Sequence, residues 1–335
     1  MDYNVIWFIL IVVLFTGFFF LEGFDYGVGT LLPWVSPRDE ARTQVIRTIG
    51  PVWDGNEVWM ITAGGALFAA FPHVYATMFS TFYLALFLML VALILRGAAF
   101  ELRGHTVSPC RRRLWDGAIC LGSALPAFLW GVVVTDLLAG LPIGENMAYR
   151  GDFFDLLSPV SIVGGLTLLL VFAYHGAAFL SLRLADTGLI LRIQALGLRM
   201  AAWGTLAFLG WAVLLYQETD LFSTPWAALL LVGAAFFFVV SALSFSIAKG
   251  RAAFMLSSLA IVCTSVGLFV ALFPRLMVSS LNPAWSLTIT NAASTPYTLS
   301  VMTVAAVILV PLVLIYQGWC WYIFRQRVTP DDCQH

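Results

Sequence analysis

The chain has 335 residues, of which 61% are hydrophobic and only 10% are charged, with a mean hydropathy of +0.93 and a formal net charge of −1. Soluble domains carry about 25% charged residues, so this chain cannot cover itself with a surface that water solvates. The composition excludes a soluble enzyme, a nucleic-acid binder and a disordered linker, and it predicts a polytopic membrane protein.

Charged residues interrupt the apolar sequence at intervals close to the roughly 20 residues that a helix needs to cross a bilayer. They delimit about nine predicted transmembrane helices in an all-α fold, and Asp54, Asn56 and Glu57 make the second helix the least apolar of them. The helices are predicted near residues 5–32, 52–71, 74–100, 114–139, 157–182, 200–217, 224–247, 252–273 and 297–324. Because the connecting loops are short, we expect one integral-membrane domain over residues 1–335.

The basic residues predict the orientation of these helices, since Lys and Arg concentrate in cytoplasmic loops. They fall in alternate loops and in the tail: Arg38, Arg42, Arg47, Arg103, Arg111, Arg112, Arg113, Arg183, Arg192, Arg199, Lys249, Arg251, Arg325 and Arg327. The exceptions are Arg96, Arg150 and Arg275. The N-terminus is therefore predicted outside and the C-terminus in the cytoplasm. In an alternative with eight helices, the second predicted helix does not span the membrane and the N-terminus lies inside. The basic residues are then divided less completely between the two sides of the membrane.

The first three helices carry most of the ionisable groups that are predicted within the membrane. Glu22 and Asp25 are three residues apart in the first helix and therefore share a face. Asp54 and Glu57 have the same spacing at the start of the second helix, and Arg96 and Glu101 lie at the end of the third. The alternating helix directions bring these six residues to a similar depth near the cytoplasmic side.

Two interpretations of these six residues are open. Ionisable groups in the bilayer cost about 2.5–3.5 kcal/mol each on insertion scales and persist where they pair or line a hydrated path. Carboxyl groups that lie close together cannot all stay ionised in a low dielectric, so the set is suited to holding and passing protons. The first interpretation is a path for proton uptake from the cytoplasm. The second is a structural network of ion pairs that holds the three helices together.

The remaining candidate features favour packing over chemistry. Gly23, Gly27 and Gly29 form a face of small residues that permits close helix approach, and residues 63–66 are interpreted in the same way. His175 is interpreted as a lone hydrogen-bonded histidine, since a bis-histidine haem site needs a second histidine in place. The five cysteines are scattered, so neither a disulfide framework nor a zinc site is expected.

Several blocks resemble one known family along essentially the whole chain. The most specific are Glu22-Gly-Phe-Asp-Tyr-Gly-Val-Gly29 and Pro51-Val-Trp-Asp-Gly-Asn-Glu-Val-Trp59, followed by Arg96-Gly-Ala-Ala-Phe-Glu101 and Ser279-Ser-Leu-Asn-Pro283. Together these blocks resemble subunit II of the cytochrome bd quinol oxidases, which oxidise quinol and reduce dioxygen to water in the bacterial cytoplasmic membrane.

The resemblance implies a division of labour between two subunits. Haem b, haem d and the catalytic quinol site are expected in a partner, subunit I, so this chain is expected to bind no cofactor directly other than a structural quinone, whose residues the sequence does not assign. Small single-helix subunits, quinol and lipid are further expected partners. A hydrophilic proton path is expected along the interface of the two subunits, at the positions of Asp25, Asp54, Arg96 and Glu101. A proton-coupled secondary transporter and a purely structural scaffold are the alternative functions.

Overall fold

A computed structural model describes residues 2–329 and consists almost entirely of helices. The helices are α1 (Tyr3–Val35), α2 (Asp39–Ile49), α3 (Trp53–Ala70), α4 (Pro72–Thr81), α5 (Tyr83–Gly104), α6 (Pro109–Ala139), α7 (Pro159–Arg183), α8 (Thr187–Glu218), α9 (Pro225–Ser246), α10 (Gly250–Leu272) and α11 (Pro296–Ile323). Strands β1 (Arg275–Met277) and β2 (Leu287–Thr288) form a short antiparallel pair, and three single-turn 3-10 helices lie in loops.

Eight of the described helices are long and apolar enough to cross a membrane: α1, α5, α6, α7, α8, α9, α10 and α11. The predicted second span, α3, is shorter and more polar, but its contacts with α11 place its two ends at opposite ends of the bundle. Near its start, Asn56 accepts a hydrogen bond from Gln317 at 3.3 Å, and at its end Ala70 accepts one from the backbone of Ser294 at 2.8 Å. Helix α3 therefore runs beside α11 from one end of the bundle to the other. The all-α membrane fold is confirmed with eight candidate spans among the described residues, and α3 as a ninth span stays a prediction.

Three details of the predicted helices differ from the structure. The predicted helix at 74–100 is two helices, α4 and α5, which meet at the buried residue Phe82. The predicted helix at 200–217 begins earlier, at Thr187, because helical structure continues past the exposed Arg192 and Arg199 beyond the apolar run. The first loop contains the helix α2, which hydropathy does not detect because it is polar. Its acidic first turn and Arg47 in its last turn complement the helix dipole.

Helix α1 lies at the centre of the bundle, where it packs against α2, α3, α6, α7 and α10. It is apolar all round, which is typical of a helix enclosed by others. Its aromatic residues Phe18 and Phe19 contact Trp130 of α6 edge-to-face, with ring centroids 5.4 and 5.8 Å apart. This central position is what brings the carboxyl groups of α1 into the interior.

The predicted basic loops come together at one end of the bundle. At one end, called the basic end below, Asp39 of α2 pairs with Arg103 and Arg112, so the first and third predicted basic loops lie together. The backbone of Arg183 accepts a hydrogen bond from Val328 at 2.7 Å, which brings the fifth basic loop and the tail to one place. At the opposite end, residues 140–150 pair with the segment that follows β1.

Candidate functional site

Arg96 of α5 is the centre of a buried cluster of charged side chains. It is fully buried, and its Nη1 donates hydrogen bonds to Glu22 of α1 and, at 2.9 Å, to Glu57 of α3. The three helices α1, α3 and α5 thus meet at one guanidinium. The approach of α6 helps to place it, because a Cβ on Gly122 would lie 2.6 Å from the Cβ of Arg96.

Three aromatic rings lie close to this guanidinium. The Cζ of Arg96 lies 5.0 Å from the ring centroid of Tyr26, 5.4 Å from that of Phe100 and 6.0 Å from that of Trp53. Cation–π contacts of this kind contribute about 0.5–2 kcal/mol each, with the larger values at desolvated sites. The rings therefore help to stabilise the buried cation.

Asp25 belongs to the same cluster through an amide partner. Its Oδ2 accepts a hydrogen bond of 2.6 Å from Asn56 of α3, whose Oδ1 accepts one from Gln317 of α11. Gln317 in turn accepts a hydrogen bond of 2.8 Å from the indole of Trp59. A continuous chain of polar side chains therefore leads from Asp25 to the last helix. Asn56 and Gln317 were not among the predicted site residues, although each is an amide in a predicted span.

The cluster contains more polar atoms than its own side chains satisfy. The buried atoms without a hydrogen-bond partner among the described residues include Glu22 Oε2, Asp25 Oδ1, Tyr26 Oη, and Nε and Nη2 of Arg96. Buried polar atoms in folded proteins are nearly always hydrogen-bonded, commonly to internal water. The cluster therefore has the polar lining that internal water binds, and its three carboxyl groups outnumber its one cation.

Not all six predicted site residues meet in this cluster. Glu22, Asp25, Glu57 and Arg96 do, and Asp54 lies one turn before Glu57 on the exposed surface of α3. Glu101 is also exposed, five residues beyond Arg96 on α5, and makes no ion pair within the part of the chain that the structure describes. The site is thus a group of four in which Glu22, Asp25 and Arg96 are buried and Glu57 is partly exposed. One exposed carboxylate lies close to it along α3 and another lies further along α5.

His175 lies away from this cluster, on α7. Its Nδ1 is 2.7 Å from the hydroxyl of Ser257, and its ring stacks on Phe254 with centroids 4.7 Å apart. Within residues 2–329, no group of three or more His, Cys, Asp or Glu side chains is arranged to hold a metal ion. Cys333 and His335 lie outside the described residues.

A second ionic cluster, absent from the predicted site, fixes α2 across the basic end. Asp116 of α6 pairs with Arg42 at 3.0 Å and with Arg103 at 2.5 Å, and Asp39 pairs with Arg103 at 2.8 Å and with Arg112 at 2.6 Å. All of these residues except Asp39 and Arg112 are buried. Helices α2, α5 and α6 are thereby held together at this end.

The arginines at this end also change the titration of Asp39. Burial alone would raise the pKa of Asp39, but the hydrogen bond from Arg112 and the charges of Arg103 and Arg112 outweigh it and lower the pKa below its usual value. A carboxyl whose pKa is lowered by folding stabilises the protein when ionised, above its unfolded pKa of about 3.9, and this stabilisation is lost as the pH falls through the folded value.

We therefore expect Asp39→Asn to reduce the acid sensitivity of the protein. Between pH 6 and pH 3, the thermal unfolding temperature of the wild type should fall more steeply than that of the variant, in scanning fluorimetry of the purified protein. Glu40→Gln, which changes an exposed neighbouring acid, should keep the wild-type slope. Equal slopes for the wild type and Asp39→Asn would contradict this assignment.

Comparisons with known proteins agree with this architecture. The model of the family described as cytochrome bd terminal oxidase subunit II matches residues 3–324. The chain is 39% identical to cytochrome bd ubiquinol oxidase subunit 2 of Bacillus subtilis over 333 residues, which cover 98% of this chain and 97% of that protein. It is 34% identical to cytochrome bd-I ubiquinol oxidase subunit 2 of Escherichia coli over 378 residues, with 99% and 98% coverage.

The fold is also found among solved structures. A chain in the structure of bd oxidase from Geobacillus thermodenitrificans matches with a TM-score of 0.76 and 20% sequence identity, over 97% of this chain and 99% of that one. All of these similarities extend across every helix that contributes to the Arg96 cluster.

Proposed function

This chain belongs to the cytochrome bd terminal oxidase subunit II family, and we propose that its Arg96 cluster takes up protons from the cytoplasm for the reduction of dioxygen by the oxidase. As subunit II of a cytochrome bd quinol oxidase, the chain is part of an oxidoreductase complex with several membrane spans. In the proposal, haem b and haem d belong to subunit I, and the membrane is the bacterial cytoplasmic membrane with the basic end inside. Small single-helix subunits and a structural quinone complete the proposed complex.

The observation that carries the proposal is a gradient of exposure through charged side chains. Asp54 is exposed on the surface of α3, the side chain of Glu57 is 19% exposed, and the side chains of Glu22 and Arg96 are fully buried. A purely structural ion pair does not require an excess of carboxyl groups or a stepwise connection to the surface. A path for protons requires both, together with internal polar atoms that bind water.

The chemistry of the complex explains why such a path is needed. Each dioxygen that is reduced to two waters consumes four electrons and four protons, and quinol oxidation releases its own protons. If the consumed protons come from the cytoplasm and the released protons leave on the other side, the reaction separates charge without a pump. The part proposed for this chain is to hold exchangeable protons at Glu57, Glu22 and Asp25 and to deliver them toward subunit I.

The surface of α11 supports a large partner next to this cluster. Of its 28 residues, all within the described range, only Leu299 is buried. Yet α11 is fixed in place, because Trp7 donates a hydrogen bond to Leu299 and Gln317 contacts Asn56 and Trp59. We propose that α11 and the exposed face of α3 contact subunit I, which would put the polar chain from Asp25 to Gln317 at the interface between the subunits.

Asp54→Asn tests whether the exposed carboxylate feeds the cluster. We expect the variant to lower quinol-driven oxygen consumption about tenfold or more, since removing one proton-transfer group typically costs 10²–10⁴-fold when transfer limits the rate. The measurement is turnover per haem in the complex purified through a tag on this chain. Haem content and the redox difference spectrum should match the wild type.

Glu40→Gln, which removes an exposed carboxylate on α2 at the same end of the bundle, is the matched control and should leave turnover unchanged. Normal turnover in Asp54→Asn would reject the proton path through this residue. Loss of haem in Asp54→Asn would instead show that the carboxylate serves assembly, which is the prediction of the scaffold alternative.

A further inference from the structure

A chain of hydrogen bonds runs from the indole of Trp59 to Asp25, and all of its bonds point in the same direction. The Nε1 of Trp59 donates to Oε1 of Gln317 at 2.8 Å. The Nε2 of Gln317 donates to Oδ1 of Asn56 at 3.3 Å, and the Nδ2 of Asn56 donates to Oδ2 of Asp25 at 2.6 Å. Each amide therefore presents its oxygen toward Trp59 and its nitrogen toward Asp25.

The indole fixes this direction, because its nitrogen can donate a hydrogen bond but cannot accept one. An amide, in contrast, can turn over and exchange the positions of its oxygen and its nitrogen. With Trp59 as the donor, the atom of Gln317 that faces the indole must be the oxygen. The nitrogen of Gln317 then requires the oxygen of Asn56, which leaves the nitrogen of Asn56 to face Asp25.

The ring of Trp59 is itself held in place by the central helix. A Cβ on Gly17 of α1 would lie 2.3 Å from Cζ3 and 2.4 Å from Cε3 of this ring, so only a glycine leaves room for the indole here. Asn56, at the other end of the amide pair, is buried, so bulk water does not compete for its amide group. Packing at one end of the chain thus sets the orientation of both amides.

The consequence for Asp25 is that its two carboxyl oxygens are not equivalent. Oδ2 faces an N–H group of Asn56 and must accept a hydrogen bond whether the carboxyl is ionised or protonated. Oδ1 is buried without a hydrogen-bond partner among the described residues, as is Oε2 of Glu22 on the same face of α1. A proton held by Asp25 therefore resides on Oδ1, because a proton on Oδ2 would point at the amide protons of Asn56.

We propose that Trp59 is a positioning residue of the oxidase, which acts through Gln317 and Asn56 to keep the exchangeable proton of Asp25 on Oδ1. This rests on the proposed function, in which Asp25 holds a proton that is delivered toward subunit I. The oriented amides give Oδ2 no proton acceptor, so the proton does not leave Asp25 toward α11. The polar chain to the last helix thus directs the proton path without being a branch of it.

The test records infrared spectra of the complex purified through this chain and takes the difference between acidic and alkaline pH. A protonated carboxyl has a C=O stretch whose wavenumber falls when the carbonyl oxygen accepts a hydrogen bond. The Asp25 band is identified as the band that Asp25→Asn removes. In the wild type it should lie at the wavenumber of a hydrogen-bonded carbonyl, since Asn56 donates to Oδ2.

Trp59→Phe keeps a ring in this space but removes the N–H donor, so both amides can turn over. When the oxygen of Asn56 faces Asp25, the proton moves to Oδ2 and the carbonyl Oδ1 has no donor. The Asp25 band should then split, with a second component at higher wavenumber, and turnover per haem should fall about twofold because one of two orientations is competent. Gln317→Met removes the same link from the side of α11 and should give the same second component even if Trp59→Phe disturbs packing.

Trp203→Phe is the matched control, because it makes the same exchange on the exposed surface of α8 and should leave the band and the turnover unchanged. The proposal is overturned by an unsplit Asp25 band in both Trp59→Phe and Gln317→Met, or by a wild-type spectrum without a band that Asp25→Asn removes. A split band with wild-type turnover would also reject it, since the amides would then orient Asp25 without serving proton delivery. The splitting depends on the hydrogen bonds alone, so it is expected even if Asp54→Asn shows that the proton path is wrong.

Discussion

Arg96→Met is expected to prevent stable assembly of the oxidase. The substitution keeps the length and apolar contacts of the side chain but leaves the fully buried Glu22 and Asp25 without a cation. Removing one partner of a buried ion pair costs about 3–5 kcal/mol, which is a large part of the typical 5–15 kcal/mol that stabilises a folded protein. We expect the yield of haem-containing complex, purified through this chain and measured by its redox difference spectrum, to fall about tenfold or more.

A double variant separates the structural part of this effect from the functional part. Glu22→Gln combined with Arg96→Met replaces the buried pair by neutral groups, an exchange that is often neutral for stability. The double variant should recover part of the yield of haem-containing complex, because Asp25 is then the one fully buried carboxyl of the cluster left without a cation. Its turnover per haem should stay low because the cluster has lost a carboxyl group. A normal yield for Arg96→Met alone would contradict the central position of this arginine.

Gly27→Ala is the second substitution with a large expected effect, and it acts through packing. At the crossing of α1 and α7, a Cβ on Gly27 would lie 1.9 Å from the carbonyl oxygen of Phe172 and 2.8 Å from the backbone nitrogen of Gly176. Both obstacles are backbone atoms, so no side-chain rotation can relieve the clash. The helices must separate, and overpacking of this kind typically costs about 1–3 kcal/mol, and occasionally more.

We expect Gly27→Ala to lower the unfolding temperature of the purified complex by several degrees, as measured by scanning fluorimetry, or to prevent its isolation. Gly117→Ala is the matched control, since a Cβ on this exposed glycine of α6 would meet nothing within 4 Å. If both variants unfold like the wild type, the close approach of α1 and α7 at Gly27 is not required.

The close approach at Gly27 also shows what the sequence predicts well. Small residues next to the carboxylates of the first helix predicted tight packing, and Gly23, Gly27 and Gly29 each lie against another helix. The same interpretation of residues 63–66 holds for Ala63, which is buried, and for Ala66, which packs partly buried against the core. It does not hold for Gly64 and Gly65, because a Cβ on either would meet nothing within 4 Å. A run of small residues predicts that helices can approach, but it does not identify the helix that does so.

The spans were predictable because the bilayer imposes one length and one polarity on all of them. Features outside the hydrocarbon were not predictable in this way, since the bilayer does not constrain their length or polarity. The helix α2 is polar, and Asp116, which pairs with Arg42 and Arg103, was included in a predicted span without being recognised as a buried ion-pair partner. Asp136 is a further buried carboxyl, hydrogen-bonded by Ser161, that the sequence reasoning missed.

Within the site, spacing along a helix predicted which residues share a face, and contacts between helices decided the partners. Glu22 and Asp25 do lie on the same side of α1, but one pairs with Arg96 and the other with Asn56. Gln317 is 261 residues from Asn56 in the sequence, so only the packing of α11 beside α3 brings it to the site. Its one sequence signal is that it is an amide in an otherwise apolar predicted span.

The most direct test of the proton path is the rate of proton uptake by the assembled oxidase with Glu57→Gln. Glu57 is the partly exposed carboxyl next to Arg96, and glutamine preserves an oxygen that accepts the hydrogen bond but cannot exchange a proton. In vesicles with a pH-sensitive dye on the side of the basic end, dioxygen reduction by the variant should take up protons at least about tenfold more slowly, with an unchanged haem spectrum. Uptake at the wild-type rate by a fully assembled variant would contradict the account.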